Sequence, residues 1–430
     1  MMRPIRLISL ACALAVIAVS LAVPMAAQSE RVIAIKGGTV LTMAGAPIQN
    51  GTVLMRGGKI IVVGANVQVP AGAEIVDATG KYVMPGLIDA MTSIGIDSTD
   101  LNEATDPLTP QLRAIESYNP FGNFGEGGIG PIRMSESFSG GVTTMYIAPA
   151  DSALIGGQGA VVKVAGPNLD AIIVREPAAI DMTLGEQPKK AARSRNRDPA
   201  TRMAEVAMLR QILIKAQEYE RARKEKPTTP RDLAMEALGK LLRRELPGRI
   251  QANSAGDIRS AIALSKEFGF DLIIDGAAAA YEHRDELAAR RIPVVLGQIT
   301  HPFVSNDEIP DRTEYPPVDE RTPAKLKAAG VKFAIATFSR AFGRLAPGGT
   351  GKWLLVDAAT AGGYGMSDED ILKAVTINAA EILGVSDRIG SLAPGKDADV
   401  IVLDGPPLSI KTWVERVYIN GELVHTRKAK

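Results

Sequence analysis

Apolar residues are distributed along the chain in three different patterns. An almost uninterrupted apolar run covers residues 7–23. Short β-type runs separated by Gly and Pro turns cover residues 31–82, and the same pattern returns at residues 389–424. Between these regions, apolar strand patterns alternate with segments that have the period of amphipathic helices. The patterns therefore predict a β-rich unit drawn from both ends of the chain and an α/β unit in the middle.

The β-type runs of the first region are short and follow one another closely. Gly57-Gly58 and Pro70-Ala-Gly72 separate them as turns. Short strands at this spacing predict a small all-β unit. The runs cover residues 32–36, 38–43, 51–56, 59–64 and 74–77.

The middle region alternates predicted strands with predicted helices, which favours a parallel barrel. In such a barrel the functional site lies at the carboxyl ends of the strands, so the residues directly after each strand are the candidates for chemistry. The strands are predicted at residues 140–148, 249–253, 270–275, 292–297 and 331–337, and the helices at residues 203–223, 232–244, 257–268, 281–289, 323–329 and 368–383.

The amino-terminal residues have the composition of an export signal. Residues 1–6 carry two arginines and no acid, and the apolar run that follows ends in small residues before Gln28. This predicts a signal peptide of residues 1–27 and a periplasmic or secreted mature protein. A retained membrane anchor is the alternative, although the run is near the lower length limit for spanning a bilayer. Cys12 has Ser9 where a lipoprotein signal has leucine, so we do not expect lipidation.

Charge and cysteine content exclude several classes of partner. Removal of Arg3 and Arg6 with the signal peptide leaves 47 of the 49 basic residues against 48 acidic ones, so the mature net charge is near −1. This balance does not indicate nucleic acid as a partner. A mature chain without cysteine suits an oxidising compartment, because no thiol can mispair.

Residues 81–95 and 390–399 carry a family resemblance. The first segment, with Pro85-Gly86-Leu-Ile-Asp89 at its centre, resembles the first barrel strand of the amidohydrolase superfamily, V-x-P-G-L-I-D-x-H-x-H. The second, Gly-Ser-Leu-Ala-Pro-Gly-Lys-Asp-Ala-Asp, is similar to the segment with which these proteins complete a composite β-sandwich. The resemblance implies an α/β fold, with a (β/α)8 TIM barrel over residues 83–388 and a composite β-sandwich of residues 28–82 and 389–430. Segments 148–163, 181–190 and 201–219 look like an exported, imidazolonepropionase-like branch.

The resemblance implies a catalytic zinc site, yet most positions that would bind the metal carry other residues. The two histidines of the first strand fall on Met91 and Ser93. A later strand, R-x-H-A-H in the family, has Gln251 and Asn253 at its histidines. Thioether, hydroxyl and amide groups are poor ligands for zinc in proteins. The aspartate of the final T-D-S, which would also act as general base, is replaced by Phe338.

Three residues retain acid–base chemistry. Asp181 stands where the branch usually has a lysine that is a candidate for carboxylation. Asp275 stands where the family segment H-G-T-E-A begins. His301 follows a predicted strand on the active face, and a surface or packing role is its alternative. The other histidines, His283 and His425, fall within a predicted helix and the closing strand of the small domain.

Two further segments allow a functional and a structural interpretation. The amides of residues 156–159, Gly-Gly-Gln-Gly, could bind an anion, but a turn between two strands explains the glycines as well. Residues 189–202 carry six basic residues and one acid without interleaved aromatic residues. This favours a solvated, mobile loop over a nucleic-acid patch.

We therefore expect an exported amidohydrolase-like protein that has lost metal-dependent hydrolysis and uses no zinc or other cofactor. As such a pseudoenzyme it would bind a small polar ligand or a partner subunit, which would be a second copy or an active relative. The alternative is an active hydrolase of non-peptide C–N bonds (amide, lactam or cyclic imide) that uses Asp181, Asp275 and His301 in an altered site. Family analogy alone favours the enzyme, and it is the weaker argument.

Overall fold

The computed structural model describes residues 31–97, 99–103, 105–122, 130–297, 299, 319–338 and 351–428. Their strands form two sheets. In chain order the strands are β1 (Val32–Val40), β2 (Ile48–Arg56), β3 (Lys59–Gly64), β4 (Glu74–Asp77), β5 (Tyr82–Pro85), β6 (Leu87–Thr92), β7 (Val142–Ile147), β8 (Ile155–Lys163), β9 (Ile173–Thr183), β10 (Gly248–Ala252), β11 (Leu272–Gly276), β12 (Val294–Leu296), β13 (Phe333–Ile335), β14 (Val400–Leu403), β15 (Val414–Ile419) and β16 (Glu422–Thr426).

The first sheet combines strands from both ends of the described chain. Its order is β16-β15-β14-β5-β1-β2-β3, with β4 paired to β1. Alternate residues of β1, such as Ile33 and Ile35, are buried against Val53, Val400 and Val402 from the neighbouring strands. Strand alternation thus places one apolar face on a shared core. The prediction of a composite β-sandwich is confirmed, while its exact boundaries remain predictions.

The second sheet is the barrel. Its strands follow chain order from β6 to β13. Its two ends meet where Phe338 donates its amide N–H to the carbonyl of Met91 at 3.1 Å and Thr337 donates its N–H to Asp89 at 3.0 Å. The prediction of a TIM-like α/β barrel beside a β-sandwich is confirmed.

Strand β8 departs from the predicted parallel barrel. It runs antiparallel to both β7 and β9, and it contains residues 156–159, which were predicted to form a turn. That prediction was wrong because Gly159 serves close packing. A Cβ atom there would lie 2.1 Å from the Tyr146 hydroxyl. Glycine inside a strand often marks such a close approach.

Residues 81–95 pass from one sheet to the other at Gly86. Tyr82–Pro85 pairs with β14 of the sandwich, whereas Leu87–Thr92 pairs with β7 of the barrel. A Cβ atom on Gly86 would lie 2.1 Å from the Thr143 hydroxyl, so the crossover requires glycine. Two strands of different sheets therefore replace the single predicted strand.

Helices cover the barrel and fill its connections. A predicted continuous helix over residues 368–383 is interrupted because the carbonyl of Val375 accepts from the N–H of Ile88 in β6. The α-helices in the described part of the chain are α1 (Gly130–Ser139), α2 (Leu169–Ile172), α3 (Glu186–Arg193), α4 (Arg202–Glu225), α5 (Leu233–Leu242), α6 (Ala255–Phe268), α7 (Arg284–Arg290), α8 (Thr322–Ala328), α9 (Leu354–Ala359), α10 (Asp368–Ala374) and α11 (Ile377–Ile382). None of them is long and apolar enough to cross a membrane.

The basic segment 189–202 is a solvated loop only in its middle part. Residues 194–201 lie between two helices and are mostly exposed, as predicted. The first residues belong to α3 instead, where Lys189 is buried and forms an ion pair with Glu186. At the other end, Arg202 begins α4 and pairs with Asp257 of α6 at 2.8 Å. The prediction was wrong at both ends, because acidic partners there engage the basic side chains.

At the amino ends of the parallel barrel strands, a buried ionic network joins β8 to the sandwich. Lys163, which is 1% exposed, donates to Asp397 at 2.8 Å, Asp399 at 2.9 Å and Asn420 at 2.6 Å. Arg388 also donates to Asp397, at 2.9 Å. Both aspartates belong to the segment 390–399 that carries the family resemblance. That segment therefore acts here as a structural connection at the end of the barrel opposite the functional face.

Replacing Lys163 by methionine is expected to lower the free energy of unfolding by about 2 kcal/mol. This is less than the ~3–5 kcal/mol typical for breaking a buried pair, because Asp397 keeps Lys59 and Arg388 as partners and Asp399, which loses its lysine, still accepts from the Asn420 backbone N–H. Urea unfolding measures the change. Lys373→Met, which removes an exposed pair with Glu369, is the control and should change stability by less than about 1 kcal/mol. Equal losses in both variants would contradict the structural role of the network.

Candidate functional site

The carboxyl ends of the parallel barrel strands meet around a small cavity. Four of the predicted site residues line it together with Asp151: Met91 of β6, Asp181 of β9, Gln251 of β10 and Asp275 of β11. The volume that the centre of a water molecule can occupy in this cavity is only about 10 Å³. The cavity therefore has space for roughly one water. The structure therefore brings four of the eight predicted positions together, but around a nearly filled space.

An arginine holds Asp275 inside the barrel. Arg249 of β10 is 1% exposed, and its Nε and Nη2 donate to the two carboxylate oxygens of Asp275, both at 2.8 Å. Nη2 also donates to the carbonyl of Ala90 in β6 at 2.9 Å. This bidentate geometry is the strongest form of the arginine–carboxylate pair. Both oxygens of Asp275 are thus engaged by a positive charge from the neighbouring strand.

Tyr146 links this pair to Asp181. The guanidinium carbon of Arg249 lies 3.8 Å from the centre of the Tyr146 ring, a cation–π distance. The Tyr146 hydroxyl donates to Asp181, with oxygen distances of 2.8 and 3.0 Å. Asp181, Tyr146, Arg249 and Asp275 therefore form one buried network across β7, β9, β10 and β11. The Nη1 atom of Arg249 is buried without a hydrogen-bond partner among the described residues.

Burial shifts the protonation of this network. The pKa of Asp181 is raised to about 7, chiefly by burial and also by nearby Asp275, while Arg249 and Tyr146 partly oppose the shift. Burial also raises the pKa of Asp275, against the effect of Arg249. For Arg249 itself, burial acts to lower the pKa, but Asp275 outweighs it and the guanidinium stays charged. Asp181 therefore retains a proton to a higher pH than an ordinary aspartate does.

Within the cavity, Gln251 donates to Asp151 at 3.0 Å. The other predicted positions that the structure describes do not line it. Ser93 donates to the carbonyl of Ala148 at 3.1 Å. Asn253 and Phe338 do not line the cavity, although Phe338 packs with Met91 against the apolar interior of the barrel. His301 lies outside the residues that the structure describes.

Comparison with known proteins shows the same architecture elsewhere. The sequence profile of the amidohydrolase family matches residues 279–424. A solved amidohydrolase from Thermotoga maritima MSB8 is 36% identical and superimposes with a TM-score of 0.82, covering 92% of this chain and 100% of that one. The chain belongs to the amidohydrolase family.

Curated amidohydrolase relatives are more distant in sequence. An imidazolonepropionase from Mesorhizobium japonicum is 24% identical over 87% of this chain and 90% of its own length. The amidohydrolase tasK from Hapsidospora irregularis is 26% identical over 82% of this chain. The aligned part of this amidohydrolase chain spans only 37% of the length of tasK.

The described residues at the mouth of this amidohydrolase barrel do not fit a catalytic zinc ion. Such an ion needs about three ligands of the histidine, carboxylate or thiolate type. Within the described ranges, no group of three or more His, Cys, Asp or Glu is arranged to hold a metal. Both Asp275 oxygens accept from Arg249, and a fixed guanidinium beside them would repel a divalent cation. The donor set and the local charge therefore both disagree with zinc.

Sequence reasoning did not single out Tyr146, Asp151 and Arg249 of this amidohydrolase as site residues. The alternation of side chains along a strand could have indicated Arg249. It lies two positions before Gln251, so the two side chains share one side of β10. Asp151 follows the end of β7, where barrel proteins carry functional groups. Tyr146 looked like an ordinary buried strand residue, since only the register between strands brings its hydroxyl to Asp181.

Proposed function

We propose that this protein is an exported, non-catalytic member of the amidohydrolase family that acts as a ligand-binding or partner subunit. The observation that supports the proposal is the bidentate contact of Arg249 with Asp275 at the mouth of the barrel. The guanidinium of Arg249 thus contacts Asp275, which is one of the carboxylates that a hydrolase with an altered site would need. The pairing makes Asp275 unavailable both as a metal ligand and as a general base.

The alternative, hydrolysis of an amide, lactam or cyclic imide, would use the carboxylates in another way. A pKa of about 7 would by itself suit Asp181 to act as a general base, but its carboxylate accepts from the buried Tyr146 hydroxyl. The cavity around both carboxylates admits about one water. These features favour the binding function over hydrolysis.

Two kinds of binding fit the proposal. A small polar ligand would interact with Gln251, which lines the cavity, and its binding would require the cavity to widen. A partner subunit, either a second copy or an active relative, would use the outer surface. In support of the latter, tasK extends far beyond the part that matches this chain, so in that relative a similar domain is part of a larger chain. Native mass measurement of material isolated from the periplasm would detect such a complex.

Metal content of the purified mature protein tests the proposal directly. We expect sub-stoichiometric zinc, unchanged unfolding after chelator treatment, and no chelator-sensitive hydrolysis of amides, lactams or cyclic imides. The positive control is a variant in which Met91 and Gln251, which line the cavity, are replaced by histidine and Arg249 by methionine to free Asp275; it should take up more zinc than the wild type. Stoichiometric zinc in the wild type, together with chelator-sensitive hydrolysis, would contradict the proposal and support the hydrolase alternative.

A further inference from the structure

A second recess lies between the barrel and the sandwich sheet, at the start of β7. It is a groove of about 460 Å³, within the usual size range of small-molecule sites. Gly140 lines it and comes just before β7, so the groove is at the end of the barrel opposite the cavity around Asp181. The chain has only two tryptophans, and both Trp353 and Trp413 line this groove.

The groove has a large apolar surface that remains exposed. Trp353 is 43% exposed and Trp413 is 49% exposed, while Ile410 at the edge is 84% exposed. Leu408 and Val356 continue the apolar lining. Aromatic side chains of this size are seldom left exposed together without a binding function. Their flat rings provide a surface on which another ring can stack.

Cations accompany both tryptophans. The Lys352 ammonium lies 5.4 Å from the centre of the Trp353 ring, and the Arg427 guanidinium lies 4.5 Å from that of Trp413. Arg427 is held by Asp404, to which it donates at 2.8 Å. The backbone N–H of Trp413 donates to the same carboxylate at 2.7 Å. One carboxylate thus fixes both the ring and the guanidinium at this end of the groove.

The positive charge of the groove comes mainly from Lys352. The described lining residues include Lys352 and Arg427, but Asp404 beside the lining already pairs with Arg427. His425 also lines the groove, and burial lowers its pKa, so it adds little charge at neutral pH. An anionic group would be attracted by Lys352 and could accept from the remaining N–H groups of Arg427, whereas a cationic ligand would be repelled by Lys352.

We propose that this groove binds a small carboxylate that carries an aromatic ring. The ring stacks on the indoles of Trp353 and Trp413, and the carboxylate interacts with Lys352 and Arg427. The site is separate from the cavity at the barrel mouth. Its existence does not depend on whether the protein is catalytic.

Intrinsic fluorescence can test the proposal, because every tryptophan of the chain lies in the groove. The probe is 3-phenylpropanoate, whose ring absorbs at shorter wavelengths than indole. Two analogues of the same shape, 3-phenylpropan-1-ol and 3-phenylpropylammonium, replace the carboxylate by a neutral and a cationic group. We expect saturable fluorescence change with the carboxylate, affinity about tenfold weaker for the alcohol, and no saturable change with the ammonium compound.

Variants connect the signal to the groove. Lys352→Gln is expected to weaken 3-phenylpropanoate binding about tenfold and to leave 3-phenylpropan-1-ol binding unchanged. The matched control is Lys373→Gln, which removes an exposed lysine on α10 that is not part of the groove lining and should change neither. Trp353→Phe and Trp413→Phe each leave a single indole, so each end of the groove can be followed separately. Circular dichroism confirms that the variants fold.

The outcomes discriminate between occupants. Equal affinity for the three compounds, or affinity unaffected by Lys352→Gln, would overturn the proposal of an anionic ligand. Absence of saturable binding by all three would overturn the small-molecule site. If native mass measurement showed a dimer that Trp413→Phe dissociates, the groove would be a contact between copies of the chain instead.

Discussion

Replacing Arg249 by methionine is expected to lower the free energy of unfolding by about 3–5 kcal/mol, the usual loss when one partner of a buried ion pair is removed. Methionine keeps much of the apolar volume, so the effect comes mainly from charge. Asp275 would remain buried without its two hydrogen bonds. Because burial already raises its pKa, Asp275 should then take up a proton, and the loss should be smaller in acid than in alkaline solution.

Denaturant unfolding at several pH values measures this effect. The double variant Arg249→Met/Asp275→Leu should recover most of the stability, because an apolar pair can replace a buried ion pair at little cost. Arg210→Met is the control, since Arg210 forms an exposed pair with Glu267. A loss from Arg249→Met no larger than that of the control would show that the network does not hold the barrel interior together.

The ion pair between Arg249 and Asp275 also explains why we do not expect a single substitution toward the family pattern to restore a zinc site. Histidine at position 275 would restore one ligand type, but it would remove the carboxylate that neutralises Arg249. Histidine at position 251 would remove the hydrogen bond to Asp151. The substitutions at the barrel mouth are therefore coupled, and the metal site cannot be recovered one residue at a time without cost to stability.

Local sequence pattern was sufficient for much of the fold. The predicted strands at residues 59–64 and 74–77 coincide with β3 and β4, because alternation and Gly-containing turns are encoded within a few residues. The family segments allowed prediction of the barrel and the composite sandwich. They also identified which positions at the mouth would converge, and Met91, Asp181, Gln251 and Asp275 do line one cavity.

Contacts between distant strands could not be predicted in the same way. Strand β8 contains glycines that resemble a turn, and only the position of Tyr146 shows why Gly159 is needed. The break near Val375 depends on a hydrogen bond from Ile88, which is far away in sequence. The partner of Arg249 is likewise set by the register of β10 against β11. In each case the deciding interaction is tertiary, so short-range pattern does not contain it.

Replacing Asp181 by asparagine is expected to stabilise the protein in alkaline solution and to have little effect in acid. The pKa of Asp181 rises from the ordinary 3.8 to about 7 in the folded protein. In strong acid the carboxyl is protonated in both the folded and the unfolded state, so it contributes no difference. As pH rises, it ionises first in the unfolded state, and the folded state loses stability until the folded group also ionises.

The size of this effect follows from the shift of the pKa. A change of roughly three units corresponds to about 4 kcal/mol once both states are ionised. The charged groups that face Asp181 are Arg249 and Asp275, and the Tyr146 hydroxyl also contacts it. Asparagine keeps the shape and an acceptor oxygen for the Tyr146 hydroxyl. The variant therefore removes the charge with little change in packing.

Urea unfolding from about pH 5 to about pH 8 should show a difference between wild type and Asp181→Asn that grows by about 2–3 kcal/mol across the range. Glu205, Asp89 and Asp357 also have raised pKa values, but they titrate in both proteins and cancel in the difference. Asp97→Asn is the control, because hydrogen bonds from Thr99 lower the pKa of Asp97 and its contribution is constant over this range. Parallel curves for wild type and Asp181→Asn would mean that Asp181 is fully ionised in the folded protein throughout this range and that the buried network does not raise its pKa.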